Sequence, residues 1–212
     1  MSRKTAEREI RQSYILDAAR GLFAQQGIEN TSMEDIASAA EYTRRTLYSY
    51  FKSRDEICLM VLIEDNKTRW REQQKAMELT RSGLDKITIW GKTLYDFSRR
   101  NPQSLYLQLY WDLKGLDPDS ISGEAFESFD NLNNELAEGL RGIFQMGIKD
   151  GSLRADLKVD LCISQFLYSI RSIINRALST TYSFACFESD EYIDHYLDMF
   201  SRGIRYTGGT IK

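Results

Sequence analysis

The chain has 212 residues, of which 42% are hydrophobic and 28% are charged, and its formal net charge is −3 at pH 7. That length can form one sizeable core, or a small domain joined to a larger one. An acidic balance provides no global attraction to nucleic acid, so a nucleic-acid site would have to be a local patch. No apolar run reaches the roughly 18 residues that a membrane span needs. The three cysteines form no C-x-x-C pair, and we expect a soluble cytoplasmic protein with no membrane partner.

The first two predicted helices have clear ends. Apolar residues recur at the spacing of one helix face over residues 7–25, and Gly27 is placed to end that helix. Thr31 and Glu34 have the spacing of a capping box, in which each side chain binds a free backbone N–H at a helix start. This pair predicts the start of a second, short helix.

A third short helix is predicted to start at Thr43, which is a good N-cap residue. Leu47 and Phe51 lie one turn apart on this helix and are expected to face inward. The other edge of the helix is expected to display polar side chains, namely Arg45, Tyr48, Ser49 and Lys52.

The remainder of the chain is also predicted to be helical. Ser53 and Glu56 form another capping box, and they start a long helix that runs to about residue 81. Five further helices are expected over residues 84–100, 103–114, 122–149, 158–180 and 189–206. Helical periodicity without alternating strand patterns predicts an all-α fold of about nine helices. We divide it into a three-helix N-terminal domain, residues 1–56, and a larger C-terminal helical bundle, residues 57–212.

The second and third helices, with the short turn between them, have the dimensions of a helix-turn-helix motif. The second helix of that motif lies in the major groove of DNA and needs an outer edge of hydrogen-bond donors. An arginine can bind guanine O6 and N7 with two hydrogen bonds, whereas hydroxyls and lysine mainly bind phosphates. A pair such as Arg44 and Arg45 is by itself more often a solvated face. Its combination with the capping boxes and the T-L-Y-x-Y-F string favours DNA binding.

Residues 43–57, TRRTLYSYFKSRDEI, resemble the N-terminal pattern of the tetracycline-repressor (TetR) family of bacterial regulators. The resemblance covers about residues 8–60, and the C-terminal part resembles the family only in size and helix layout. One departure lies in the turn, where the family has Gly and Val and this chain has Glu41 and Tyr42. A non-glycine residue in a left-handed conformation costs about 1 kcal/mol, which the fold can absorb. The matching positions are Ser32, Ile36, Ala37, Ala40, Thr43, Thr46, Leu47, Tyr48, Tyr50, Phe51, Ser53, Arg54, Glu56 and Ile57.

The resemblance implies a DNA-binding transcriptional regulator, most commonly a repressor that a small-molecule effector releases from a palindromic operator. The two half-sites of such an operator have centres about 34 Å, or a multiple of that distance, apart. By the resemblance, Arg44, Arg45 and Ser49 are expected to read base edges. Tyr48 is expected at a base or at a phosphate. The expected phosphate contacts are Thr31, Thr43, Thr46, Tyr50, Lys52 and Arg54.

In the resembled family the C-terminal domain often holds an effector pocket, and effector binding tilts the helix that follows the DNA-binding domain. Here that helix starts at Ser53. Arg171 either binds an anionic effector or pairs with a carboxylate at a subunit interface, and the interface is favoured. Aromatic residues at helical spacing more often form core than pocket. With that alternative open, the candidate lining residues are Trp70, Trp90, Tyr110, Trp111, Phe129 and Phe166.

The last two predicted helices carry wide apolar stripes. Two such helices from each of two subunits would form a four-helix interface in a homodimer, which is the usual arrangement in the resembled family. The expected interface residues are Ile163, Phe166, Ile170, Ile174, Ile193, Tyr196, Leu197 and Phe200.

No catalytic constellation is recognisable, and neither enzyme activity nor a cofactor is expected. His195 is the one histidine, and its neighbours Asp194 and Asp198 are weak evidence for a metal site. Cys162 and Cys186 lie in apolar surroundings, where inert packing is the default.

A second interpretation stays open, namely an effector-independent dimeric helix-turn-helix protein whose C-terminal domain only dimerises or recruits a partner.

Overall fold

A computed structural model describes residues 3–114, 119–178 and 188–206. Within these ranges the chain forms nine α-helices, together with one isolated antiparallel bridge between Leu153 and Arg205. None of these nine helices has both the length and the apolarity needed to cross a membrane. The helices are α1 (Arg3–Gln26), α2 (Met33–Ala39), α3 (Arg44–Tyr48), α4 (Arg54–Met77), α5 (Gly83–Arg100), α6 (Pro102–Lys114), α7 (Gly123–Lys149), α8 (Val159–Leu178) and α9 (Ser189–Ile204).

The all-α fold predicted from the sequence is confirmed, and the predicted helix ends differ from the observed ones by a few residues. Glycine or proline marks several of these ends. Gly27 and Gly151 have φ angles of +81° and +77°, the left-handed conformation that closes a helix at its C-terminus. Pro102 is the first residue of α6, where a backbone N–H would have no partner within the helix.

The chain divides into two compact units. The first unit comprises residues 1–67 and 106–132, and the second comprises residues 68–105 and 133–212. α4, α6 and α7 each contribute to both units. The first unit therefore contains more of the chain than the N-terminal domain predicted for residues 1–56, and that domain boundary stays a prediction.

The core of the first unit includes the apolar faces of α1 to α4. Ile36 of α2 and Leu47 of α3 are fully buried. An ion pair also ties α1 to α4, because Arg20 Nη2 lies 3.0 Å from Glu64 Oε2 and 3.2 Å from Asp65 Oδ1. The two short helices are thus supported by two long ones.

In the second unit, α5 packs closely against α8 and α9. The ring centroids of Trp90 on α5 and Phe166 on α8 are 5.4 Å apart. Gly91 permits this approach, because a Cβ atom there would lie 2.6 Å from Leu197 Cδ2 and 2.9 Å from Ile170 Cδ1. α5 therefore covers the side of α8 and α9 on which these apolar side chains lie.

The apolar stripes of α8 and α9 were predicted to form a dimer interface, but most of their residues are buried in the core of one chain. Six of the eight side chains predicted for a dimer interface are at most 6% exposed within one chain. A side chain that is already buried has no surface left to bury against a second subunit, so these six stabilise the protomer itself. Tyr196 and Phe200 keep partial exposure. The buried six are Ile163, Phe166, Ile170, Ile174, Ile193 and Leu197.

The start of α5 meets the backbone of α7 in the same unit. A Cβ atom on Gly83 would lie 2.3 Å from the Cα atom of Gly147 and 2.8 Å from the carbonyl oxygen of Ile143. We expect Gly83→Ala to lower the free energy of unfolding by about 1–3 kcal/mol, because the two backbones must move apart. The matched control is Gly142→Ala on α7, where nothing lies within 4 Å of an added Cβ.

The control substitution should leave the free energy of unfolding unchanged or raise it by up to about 1 kcal/mol, since alanine is the better helix former. Urea denaturation of both variants measures the difference. Equal effects of the two substitutions would contradict the close packing of α5 on α7.

Candidate nucleic-acid interface

The N-cap of α2 is Ser32, one residue later than predicted. The hydroxyl oxygen of Ser32 accepts a hydrogen bond from the backbone N–H of Asp35 (3.1 Å), and Asp35 Oδ2 accepts one from the backbone N–H of Ser32 (2.8 Å). These bonds with Ser32 lower the pKa of the Asp35 carboxyl. The predicted capping box of Thr31 and Glu34 is therefore wrong. Thr31 is buried instead, and its hydroxyl donates to the carbonyl oxygen of Gly27 (2.7 Å).

The turn between α2 and α3 is tight and contains one residue in the left-handed conformation. Glu41 has a φ angle of +59° at the position where the resembled family has glycine. Two backbone hydrogen bonds hold the turn, from Glu41 N to Ser38 O (3.1 Å) and from Tyr42 N to Ala37 O (2.9 Å). The local cost of about 1 kcal/mol is small beside the packing of the two helices.

α3 starts at the predicted N-cap and buries the predicted edge. The hydroxyl oxygen of Thr43 accepts a hydrogen bond from the backbone N–H of Thr46 (3.1 Å). Leu47 and Phe51 are 0% and 2% exposed, so both lie in the core. Because this edge points inward, the opposite edge must face solvent.

The outer edge of α3 carries two arginines in different states. Arg44 forms an ion pair with Glu34 of α2, and its guanidinium lies 5.5 Å from the centroid of the Tyr48 ring. Arg45 is exposed and makes no hydrogen bond or ion pair with any residue that the structure describes. The guanidinium of Arg45 therefore keeps all its donors for a ligand. The other exposed side chains here are Tyr48, Ser49 and Lys52.

Arg54 is half-buried and binds the start of the α1–α2 loop. Its Nη1 donates to the carbonyl oxygen of Ile28 (3.1 Å), and its Nη2 pairs with Asp55 Oδ1 (3.2 Å). Thr31 is in the same loop and is buried as described above. These two predicted phosphate contacts are thus engaged within the protein, whereas Arg45 has no partner among the described residues.

The start of α4 forms as predicted at Ser53, with one difference at Glu56. Ser53 Oγ accepts a hydrogen bond from the backbone N–H of Glu56 (3.0 Å). The Glu56 carboxylate binds the backbone N–H of Lys52 (2.6 Å) and the hydroxyl of Ser122, which precedes α7. The end of the helix-turn-helix is therefore linked to a segment 66 residues later in the same unit.

The candidate effector residues are divided between the two units. Trp70, Trp90 and Phe166 belong to the second unit, and Tyr110, Trp111 and Phe129 belong to the first. The three tryptophans and Phe166 are buried, whereas Tyr110, Phe129 and Arg171 are half-buried.

Within the second unit, Trp70 packs on α7. Its Nε1 donates to Glu135 Oε1 (3.1 Å), and its ring leaves no room for a Cβ atom on Gly139. Sequence reasoning missed Gln73, which is buried on α4 and donates from Nε2 to the carbonyl oxygen of Trp90 (3.1 Å). The sequence signal that could have identified Gln73 is a polar amide side chain on the buried face of α4.

The cysteines and the possible metal ligands are the remaining candidates for chemistry. Burial raises the pKa of the Cys58 thiol to about 12 and also raises the pKa of the Cys162 thiol. Cys186 lies outside the described residues. Within the described ranges, no group of three or more His, Cys, Asp or Glu side chains is placed to hold a metal ion.

Two short helices joined by a tight turn, the second of which has an exposed edge that carries Arg45, have the geometry of a helix-turn-helix motif. Residues 15–61 match the family model described as bacterial regulatory proteins, tetR family. The HTH-type transcriptional repressor KstR2 of Rhodococcus jostii (strain RHA1) is 30% identical over 162 residues, which cover 74% of each chain. The chain belongs to the TetR family, and its function is DNA-binding transcriptional regulation.

Solved structures have the same fold. FadR from Bacillus subtilis, in complex with stearoyl-CoA, superposes with a TM-score of 0.73 at 16% identity and covers 91% of this chain and 99% of its own. The ketosteroid transcriptional regulator KstR2 of Mycobacterium tuberculosis gives 0.63 at 18% identity, with 92% and 95% covered. At these identities the likeness concerns the fold.

Proposed function

We propose that the protein is a repressor that binds a palindromic operator as a homodimer and leaves it when a small molecule binds the C-terminal helices. The observation that carries this proposal is the exposed outer edge of α3, on which Arg45 has no partner within the described part of the chain. The relative from Rhodococcus jostii is named a repressor, which favours repression over activation.

The side chains of α3 divide into base readers and phosphate contacts. Arg45 has the free guanidinium needed to bind a guanine edge with two hydrogen bonds. Arg44 must first break its ion pair with Glu34 before it can bind a base, so we propose that it contributes less than Arg45 to sequence recognition. Ser49 and Tyr48 complete this edge. The phosphate contacts that we propose are Thr43, Thr46, Tyr50 and Lys52.

Thr31 and Arg54 act differently in this proposal. Each binds carbonyl oxygens of the loop between α1 and α2. We assign both residues to fixing the loop from which α2 starts. Their contribution to DNA binding is then indirect, through the placement of α2 beneath α3.

The dimer interface that we propose uses the exposed face of α8 and α9. Tyr168 is 65% exposed and Met199 is 55% exposed, although both side chains are large and largely apolar. They line an open groove of about 640 Å³ together with the partly exposed Tyr196 and Phe200. A second copy of the same two helices would fill this groove and form a four-helix interface.

An effector is supported by two buried polar atoms in the second unit. Gln73 Oε1 and Trp90 Nε1 are buried and have no hydrogen-bond partner within the described residues. Buried polar atoms rarely stay unpaired, and a few polar groups in apolar surroundings are typical of ligand sites. A hydroxyl or carboxylic acid offers both the donor that Gln73 needs and the acceptor that Trp90 needs. We therefore propose an amphiphile with an apolar body.

α4 is the element that would transmit effector binding. It contributes Gln73 to the second unit and the fully buried Ile57 to the core of the first. A ligand can release the operator only if it favours a conformation in which the two α3 helices no longer match the half-site spacing. A change in α4 would reach both units because one continuous helix belongs to both.

Selection of bound fragments from randomised duplex DNA tests the repressor proposal. We expect an inverted repeat, because a two-fold dimer presents two copies of α3. A protein that enriches no sequence, or only a single half-site, would contradict the proposed dimeric readout.

Displacement from the selected operator then tests the effector. Stearoyl-CoA and a ketosteroid are suitable amphiphilic probes, since one structure of similar fold is a complex with stearoyl-CoA and another is described as a ketosteroid transcriptional regulator. We expect one of them to release the operator from the wild type and not from Gln73→Leu, whose operator affinity should be unchanged. Operator binding that neither probe alters would favour the effector-independent alternative.

A further inference from the structure

The first turns of α1 lie beside the end of α3. α1 starts at Arg3, four residues before the start predicted from the sequence, and this additional turn precedes Arg8. The guanidinium carbon of Arg8 lies 5.2 Å from the centroid of the Tyr50 ring, two residues after the end of α3. α1 therefore places a cation next to the proposed DNA-binding face.

Arg8 differs from the neighbouring Arg11 in its pairing. Arg11 Nη2 lies 2.5 Å from Glu7 Oε1, and hydrogen bonds of Arg11 with Glu7 and with the Tyr50 side chain raise the pKa of its guanidinium. Arg8 is exposed and has no hydrogen bond or ion pair with any described residue. This cation–π contact with Tyr50 uses none of the five N–H donors of the guanidinium. These donors have no hydrogen-bond partner among the described residues.

Arg8 also shares one surface depression with the proposed DNA contacts. The open depression has a volume of about 350 Å³ and is lined by Arg8 and Gln12 of α1, together with Tyr48, Ser49 and Lys52. The cationic groups of this surface thus come from two separate elements, α1 and the segment that follows α3.

The same depression has acidic groups on its α4 and α7 sides. The Glu56 carboxylate is engaged with the backbone of Lys52 and the hydroxyl of Ser122, and Glu124 also lines the depression. Two carboxylates disfavour a small anion inside the depression. A duplex phosphate stays outside the depression and needs only an exposed cation at its edge, for which the exposed Arg8 is suited.

We propose that Arg8 contacts a DNA phosphate, so that the phosphate-binding surface continues from Tyr50 and Lys52 onto the first turns of α1. This inference rests on the proposed DNA-binding face of α3. A phosphate oxygen suits the planar N–H donors of a guanidinium. Each phosphate neutralised by the protein releases counterions, so the salt dependence of binding counts such contacts.

The test measures the affinity of the full-length protein for a labelled random-sequence duplex over a range of salt concentrations. Arg8→Ala should reduce the slope of log K against log salt by about 0.9, the value for one phosphate contact. It should weaken binding to the random duplex and to the selected operator by the same factor. Arg8→Lys should keep the wild-type slope because the charge remains.

Arg11→Ala is the matched control, because it removes an arginine of the same helix that is already engaged with Glu7 and Tyr50, and its slope should stay near that of the wild type. Thermal unfolding followed by circular dichroism verifies that each variant folds. An unchanged slope for Arg8→Ala would overturn the inference even if affinity fell, because Arg8 would then act only by holding Tyr50. A wild-type protein that binds no duplex would overturn the proposed function as well. The two failures can be told apart, because only the first leaves DNA binding by the wild type intact.

Discussion

Arg45→Ala is expected to weaken binding to the selected operator by about 5- to 150-fold, corresponding to the 1–3 kcal/mol of discrimination that a bidentate arginine–guanine contact supplies. Binding to random duplex DNA should fall much less, because only one charge is lost from a surface with several phosphate contacts. The prediction follows from the state of the side chain. Arg45 is exposed and unpaired among the described residues, so no internal interaction has to be broken when it enters the groove.

Fluorescence anisotropy with both duplexes at one fixed salt concentration measures this ratio. Lys52→Ala is the contrasting variant, and it should weaken both duplexes by similar factors since a lysine on a phosphate carries no sequence information. Arg44→Ala is the matched control on the same helix. Its effect on the operator should be smaller, because the Arg44 guanidinium is shared with Glu34 and Tyr48. Equal losses on operator and random DNA for Arg45→Ala would remove Arg45 from base readout.

The helices could be predicted because their signals are local. A residue such as Thr43 caps α3 through an atom three residues away, and Gly27 ends α1 through its own φ angle. Apolar spacing identifies Leu47 and Phe51 as buried without any knowledge of what covers them. These signals act over one helical turn, which is the distance that a sequence pattern can report.

The register of the capping box shows the limit of such patterns. Thr31 with Glu34 and Ser32 with Asp35 both place a hydroxyl three residues before a carboxylate. The two registers satisfy similar backbone donors, so the pattern alone does not separate them. The folded chain separates them, because Thr31 is buried with its hydroxyl on the carbonyl oxygen of Gly27.

Interactions between distant segments were not predictable. Arg54 follows the recognition helix and matches the family pattern, yet its guanidinium binds the carbonyl oxygen of Ile28, 26 residues earlier. The position of Arg8 over Tyr50 likewise depends on how α1 and α3 pack. A charge pattern identifies cations, but only the fold determines which of them have partners and which remain available to DNA.

The stripes of α8 and α9 illustrate the same point for apolar residues. The apolar pattern of the sequence correctly identified side chains that become buried, such as Ile170 and Leu197. It could not distinguish burial by α5 from burial by a second subunit. The exposed residues Tyr168 and Met199 lie off that stripe, and their significance depends on the groove that α8 and α9 form together.

A double substitution in that groove, Tyr168→Glu with Met199→Glu, is expected to separate the dimer and to lower operator affinity by about 10²- to 10⁴-fold, because the second half-site would no longer be bound intramolecularly. Random duplex binding by each protomer should change far less. Both side chains are more than half exposed, so the thermal stability of the protomer should be nearly unchanged.

Leu79→Glu is the control for an added charge at an exposed apolar residue, since Leu79 is 89% exposed and lies between α4 and α5. Sedimentation equilibrium measures the association state, and anisotropy measures the affinity for the operator. A double variant that still sediments as a dimer would place the interface on another surface. A monomer with full operator affinity would instead mean that one copy of α3 suffices, and the palindromic readout would have to be abandoned.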